Sequence, residues 1–267
     1  MINEYYAGLD VIAEHNGSTD FFKISPSQAA SFFTNTTIWY RETLLGEKRV
    51  IENQDSLALG TIVHYFAEQA SLRLKPENPD KLVADFLSTQ KVESPAEIQA
   101  LWKDMSNELI KGCIHGHPKP LATEQFMFHK LLPGIYVGGT TDAIVDLGNG
   151  TVSIRDYKTA STKPSGISYA YRLQAHIYAF LATHYLGHKV SQIELQFVTR
   201  PTKTLPCRHF SFTEPFTEEN LATITDQLQL IAESVDFWNK NPDLRYLLAQ
   251  DLRLKPQPKK KPLFLKD

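Results

Sequence analysis

Residues Ile135 to Thr159 read IYVGGTTDAIVDLGNGTVSIRDYKT, a stretch that holds Asp142, Asp156 and Lys158 at spacings able to bring charge together. Runs of alternating apolar and polar residues flank Gly148-Asn149-Gly150, which predicts a β-hairpin closed at a glycine-rich turn. With a three-residue loop and Gly150 in the left-handed position, Leu147 pairs with Thr151, Ile144 with Ile154 and Asp142 with Asp156. Directly opposed residues share a face with their side-chain roots about 5 Å apart, so two carboxylates would stand side by side, a place for a hard divalent cation. Alternation also puts Val152, Ile154, Asp156 and Lys158 on one face. The apolar pair packs inward, and the carboxylate and amine emerge where the strand runs out at Thr159-Ala160-Ser161. Close carboxylates repel unless a proton or metal neutralises them, and a neighbouring amine suits a phosphate oxygen or a water losing its proton. Metal-assisted phosphodiester hydrolysis needs those parts. A two-residue Asn149-Gly150 turn would instead set Asp142 against Tyr157 and divide the carboxylates between faces. A solvated surface hairpin is the plainer reading of the same charges.

Other residues gain meaning only beside this hairpin. Gly60 and His64 fall four apart on a predicted helix from Asp55 to Leu74, with Glu68 extending the same face. Gly60 would let another element come close beside the imidazole. Glu124, on a predicted strand from Leu121 to Leu132, can look toward the same cluster as Asp142 or form a structural salt bridge. Tyr171, Gln174 and Tyr178 fall on one stripe of a predicted helix over Tyr169 to Leu186, which either holds something polar or is a packing face with satisfied hydroxyls. His115-Gly116-His117 is a tempting metal pair in a turn-rich connector without a third ligand. Arg41, Lys48 and Arg49 could meet a phosphate, although solvated charge is the commoner role.

The elements that must position these groups are legible in outline. Residues 1–20 read as polar and irregular. Ser25-Pro26 opens one or two helices ending near Gly46, with a capping Ser before a Pro at the first helical position. A short helix precedes Leu87, and Ser94-Pro95-Ala96-Glu97 reads as a capping box. It opens a helix to about Lys111 with a core stripe of Ile98, Leu101, Trp102, Met105, Leu109 and Ile110. Beyond the hairpin and the Tyr171 helix come strands at Lys189 to Thr199 and Cys207 to Phe212. A long helix follows from Thr217 to about Asn241, and then a basic, Pro-rich tail. No internal repeat is present.

Charged residues make up 22% and hydrophobic ones 42% of the 267-residue chain, an ordinary globular composition that can bury a substantial core. No apolar run approaches a membrane span and Met1-Ile2-Asn3-Glu4 does not begin a signal peptide, so a cytoplasmic location without membrane contact is expected. Cys113 and Cys207 are the only cysteines, too few for a four-thiolate cluster and without the spacing of a zinc knuckle. A net charge of −2 gives no global argument for nucleic-acid binding, which would have to come from local basic patches.

Taken in order, Gly60-x3-His64 on a helix, Asp142 on one strand, Asp156-Tyr157-Lys158 on the next and Gln174-x3-Tyr178 on the following helix resemble the PD-(D/E)xK nuclease superfamily. Within it, the chain looks like the branch of the RecB and AddB nuclease domains, RecE and lambda-type phage exonucleases, and CRISPR-associated relatives. The segment SPSQAASFFTNTTIWYRETLLGE also looks like that branch, and the resemblance covers roughly residues 22–200. It implies an α/β, restriction-endonuclease-like core, a central mixed β-sheet flanked by helices, with a helical N-terminal region. On that reading residues 21–250 form one nuclease domain, divided into a helical part at 21–115, a catalytic core at 120–212 and a C-terminal helix at 215–241. Residues 251–267 would be a basic, flexible tail.

The resemblance also implies roles. His64, Asp142 and Asp156 would bind Mg²⁺ or Mn²⁺, helped by the Tyr157 backbone carbonyl. Lys158 would orient or activate the attacking water, Gln174 and Tyr178 would steady the site or the DNA backbone, and Glu124 would be a further acidic member. The chain departs from the pattern in reading VGGTTD in place of PD and in carrying Asp156 where Glu is commoner. Members with an iron–sulfur cluster place a Cys in the N-terminal aromatic segment and three more after the Gln-x3-Tyr helix, so no cluster is expected here. The resulting expectation is a metal-dependent DNA exonuclease acting on duplex ends and leaving a single-strand product, in phage-type recombination or DNA processing. A single-strand annealing protein is the natural partner and a homo-oligomer the natural assembly. An endonuclease, a CRISPR-adaptation-like trimming enzyme and a non-catalytic DNA-end-binding module are the alternatives, the last opposed by the intact His64, Asp142, Asp156 and Lys158.

Overall fold

The computed structural model describes residue 2, residues 8–47 and residues 53–245. From the N-terminus the chain forms α1 (Leu9–Asn16), β1 (Phe22–Ile24), α2 (Pro26–Thr34), α3 (Thr36–Thr43), α4 (Gln54–Ser71), α5 (Pro79–Thr89) and α6 (Pro95–Cys113). It continues through β2 (Ala122–Leu132), β3 (Ile135–Asp146), β4 (Val152–Ala160), α7 (Tyr169–Leu186), β5 (Val190–Thr199), β6 (Arg208–Pro215) and α8 (Glu218–Lys240). Lys48, Arg49 and the basic tail at 251–267 lie outside the described residues.

One mixed sheet organises these elements, in the order β1-β3-β4-β5-β6 with β2 also paired to β3. The β3–β4 hairpin closes as the three-residue reading requires. Leu147 N–H donates to Thr151 O at 3.1 Å, Ile144 pairs with Ile154, and Gly148 and Gly150 take φ of 73° and 78°, which favour glycine. β5 lies parallel to β4, joined to it by the α7 crossover, and β6 returns antiparallel beside β5. β3 receives two strands on one margin, β1 at Ile135 to Val137 and β4 from Ala143 to Asp146, while β2 runs along the other. Between those two contacts Gly139 meets the first turn of α2. A Cβ on Gly139 would stand 2.6 Å from Pro26 Cδ, so only glycine admits this approach.

Helices cover both faces. Alternation along β4 sends Val152 and Ile154 into a core with Trp39, Ile177, Leu228 and Ile231 from α3, α7 and α8. It sends Tyr157 the other way, into a core with Leu59, Ile62, Trp102, Met105 and Leu109 from α4 and α6. This is the restriction-endonuclease-like arrangement, a central mixed sheet between helical layers.

Two local expectations need correction. The stretch read as irregular at 1–20 contains α1, bounded by Gly8 and Gly17 in left-handed conformations. Its eight residues are too few to be helical alone, and what holds them is Ile12, wholly buried against Phe126, Phe128 and Tyr136. At Ser94 the capping-box pattern is present but the side chain caps nothing. The Asp55 carboxylate on α4 instead accepts from the Glu93 and Ser94 amides at 2.7 and 3.0 Å, satisfying them from a distant part of the chain. True capping boxes occur at Ser25 with Gln28 and at Thr217 with Asn220.

Candidate active site

The β3–β4 ladder ends at Ala143 and Arg155, one rung short of Asp142 and Asp156. Past that point the Asp142 side chain takes over from the backbone, its Oδ2 accepting the Tyr157 N–H at 2.5 Å. Its other oxygen, Oδ1, lies 3.1 Å from His64 Nδ1 on α4. Burial alone would raise the Asp142 carboxyl, but His64, Lys158 and the Tyr157 amide together hold it below its ordinary value. His64 moves the other way. Burial would lower it, and the charge and hydrogen bond of Asp142 raise it instead. α4 reaches this position by lying on the end of β4, where a Cβ on Gly60 would meet Thr159 Oγ1 at 3.5 Å. That is an ordinary contact, so the approach beside His64 does not require a glycine.

Asp156 and Lys158 emerge on the same face of β4 and meet there, Lys158 Nζ standing 2.6 Å from Asp156 Oδ2. The two form a close, buried ion pair. Burial would strip the charge from Lys158, yet Asp156 and Asp142 hold its ammonium form above the ordinary lysine range. Asp156 is raised, first by burial and then by Asp142, with Lys158 opposing. Lys158 Nζ also donates to Gln174 Oε1 at 3.3 Å, and Gln174 Nε2 to Tyr178 Oη at 3.5 Å. The polar stripe on α7 is therefore tied to the lysine. A cavity of about 650 Å³ opens beside Gln174 and Tyr178, lined also by Phe21, Lys23, Ser25 and Ser27.

Glu124 joins the cluster by an unusual backbone. Its φ is 46°, left-handed for a residue with a side chain. Donor atoms of His64, Glu124 and Asp142 all lie within 4.8 Å of one another. The Glu124 carboxyl is pushed up to about 8, first by burial and then by the charge of Asp142, with Glu68 and Asp156 adding to it and His64 opposing. The residue as a whole is exposed, so solvent moderates the effect while its upward direction, set by acidic neighbours, stands.

These residues fit a divalent cation. Carboxylate oxygens and one imidazole make a donor set suited to Mg²⁺ or Mn²⁺, and donor atoms of His64, Glu124 and Asp142 already converge. The geometry differs from the expected ligand set in one respect. The mutually close donors are those of His64, Glu124 and Asp142, while Asp156 is drawn to Lys158. At Tyr157 the contact to Asp142 is made by the amide. Glu68 lies outside the three-residue group, as do His115 and His117, and the His117 carbonyl accepts from Arg73. One contributor escaped the sequence reading, the Gly139–Pro26 contact, while Tyr171 of the α7 stripe sets its ring centroid 5.2 Å from Lys158 Nζ.

The sequence matches the model of the PD-(D/E)XK nuclease superfamily over residues 23–259. No curated protein matches it significantly. In structure it is similar to a provisionally named exonuclease from Eubacterium rectale, with a TM-score of 0.50 at 12% identity over 90% of this chain and 88% of that one. An alkaline exonuclease, LHK-Exo from Laribacter hongkongensis, aligns with a TM-score of 0.35 at 14% identity over 71% of this chain and 93% of that one. With the superfamily match running from β1 beyond α8 and the mixed sheet carrying an acidic cluster on β2, β3 and β4, the chain belongs to the PD-(D/E)XK nuclease superfamily.

Proposed function

We propose that the protein is a Mg²⁺- or Mn²⁺-dependent deoxyribonuclease that removes nucleotides from the ends of duplex DNA. The observation that carries the metal-dependent reading is the approach of the His64, Glu124 and Asp142 donors to within 4.8 Å, beside the Asp156–Lys158 pair. His64, Asp142, Asp156 and the Tyr157 carbonyl are the proposed holders of the ion, with Glu124 as a further acidic member. A bound divalent cation supplies positive charge to the phosphate and lowers the cost of forming hydroxide from water.

The chain's own groups set the rest. Lys158 is held toward its ammonium form by its two aspartates. Its role is to orient the attacking water by hydrogen bonding and to offset charge that builds on the phosphate oxygens. Gln174 fixes the Lys158 amine from α7, and Tyr178 fixes Gln174. The cavity beside them has room for the sugar–phosphate backbone.

The preference for an exonuclease rests on the order of motifs shared with phage-type exonucleases. A role in recombination, a single-strand annealing partner and a homo-oligomeric assembly follow from the same resemblance. The test is digestion of linear and closed-circular duplexes, labelled at either end, with Mg²⁺, Mn²⁺ or EDTA. Loss of end label from linear DNA with metal is expected. Cutting of closed circles would overturn the exonuclease assignment, and cleavage in EDTA would overturn the metal.

A further inference from the structure

We propose that a row of aromatic side chains leading from Lys158 to the β6 edge of the sheet is a stacking platform for single-stranded DNA. This rests on the nuclease reading for the identity of its ligand. Strand register builds the row. Lys158 pairs with Phe197 across β4 and β5, and Phe197 pairs with Phe210 across β5 and β6, so the three share one face; Phe197 is buried and supports the row from beneath, leaving Tyr171 and Phe210 to offer the accessible rings. Tyr171, at the start of α7, closes over the inner end. Its ring lies 5.9 Å from that of Phe197 and 5.2 Å from Lys158 Nζ, and it is 38% exposed.

The outer end is half open and positively charged. Phe210 is partly exposed and belongs to none of the core clusters among the described residues. Lys163 Nζ sits 5.5 Å from its ring centroid, and Arg208 lies on the same face two residues along β6. Neither cation forms an ion pair among the described residues. Aromatic faces between cations match a strand that offers base faces and phosphates alternately. A duplex hides its base faces in its own stack, so the occupant is a separated strand. The row is continuous with the catalytic lysine, which places that strand beside the bond to be cut.

The experiment uses the full chain in EDTA and compares, by fluorescence anisotropy, a thymidine oligonucleotide of about ten residues with an abasic one of equal length. The wild type is expected to favour the base-bearing strand by about 10-fold. Phe210→Ala should remove most of that ratio, Phe210→Trp should keep it, and Lys163→Gln should weaken both ligands alike. Equal binding of the two by a folded wild type, or an unchanged ratio in Phe210→Ala, would overturn the platform. Cleavage assays on the same wild type separate the two readings. A preserved ratio without metal-dependent cleavage supports the platform and removes the nuclease assignment, whereas cleavage without the ratio does the reverse.

Discussion

Glu124 and Asp142 stand opposite each other at the one rung absent within the β2–β3 ladder. Thr123 pairs with Ala143 on one side of the gap and Gln125 with Thr141 on the other. The left-handed φ of 46° at Glu124 breaks the rung, and both side chains turn instead to the shared site with His64. Regular pairing has given way where the carboxylates converge.

Replacing Glu124 tests what that backbone is for. A left-handed residue with a side chain costs about 1–2 kcal/mol, so Glu124→Gly should leave stability unchanged or slightly higher in urea unfolding. Glu124→Gln keeps the backbone cost and removes the charge. Both are expected to lower cleavage by roughly 10- to 100-fold. Near-normal cleavage by either would remove Glu124 from the site.

Lys158→Ala leaves Asp156 buried beside Asp142 without its cation, a change expected to cost about 3–5 kcal/mol in stability. Combining Lys158→Met with Asp156→Asn should recover much of that loss, since no charge is then stranded. A thermodynamic cycle of the two singles and the double should give a coupling of about 1–3 kcal/mol. Turnover should vanish in all of them, while DNA binding in EDTA persists.

The opposite face of β4 carries a buried pair with a defined pH signature. Arg155 contacts Glu194 at 2.7–2.8 Å and donates to Cys113 O at 2.7 Å. Burial would raise the Glu194 carboxyl, but Arg155 and a hydrogen bond from Gln192 hold it below its ordinary value. A lowered folded-state value contributes stability above the unfolded value of about 4.3, and that contribution disappears as pH falls through the folded value. Glu194→Gln should therefore be less stable than wild type at neutral pH, by about 3–5 kcal/mol, with the gap closing below pH of about 4. A gap that stays constant with pH would rule out the charge as its cause.

Two glycines should respond oppositely to alanine. At Gly139 the added carbon meets Pro26 Cδ at 2.6 Å and Tyr178 Cε1 at 3.3 Å, so Gly139→Ala should lose about 1–3 kcal/mol and shift α2 away from the site. At Gly60 the nearest atom is Thr159 Oγ1 at 3.5 Å. Gly60→Ala, inside α4, should be neutral or stabilising by up to about 1 kcal/mol. Thermal unfolding of the two variants decides it.

Metal binding is expected to stabilise the fold. At a hundredfold excess over its dissociation constant, Mn²⁺ or Mg²⁺ should add about 3 kcal/mol, read as a rise in melting temperature that EDTA reverses. His64→Ala and Glu124→Gln should each reduce that rise. An unaltered melting temperature with either ion would count against the site.

The hairpin and its turn could be read from residue types alone because glycine is the residue that tolerates the φ values found at Gly148 and Gly150. Alternation then placed Val152 and Ile154 toward the α7 side, and the same alternation carried Lys158 to Gln174. What could not be read depends on distant partners. α1 is helical because β2 and β3 supply aromatic rings for Ile12, and the Ser94 amide that Glu97 would have held is taken by Asp55, 39 positions away. The turned backbone at Glu124 has no local sequence signal, since Glu, unlike Gly, Asn or Asp, is not a residue that favours a left-handed position. It became visible only with β3 alongside.

β3 is clad unevenly. Between its three rungs to β1 and the hairpin rungs that start at Ala143, the stretch 138–142 has no strand on that margin among the described residues. Pro26 and Tyr178 pack against that margin at Gly139, so side chains of α2 and α7 stand there in place of a neighbouring strand. At Asp142 the seam is closed by that residue's own carboxylate on the Tyr157 amide, so the cohesion of the two strands and the acidic site depend on one side chain.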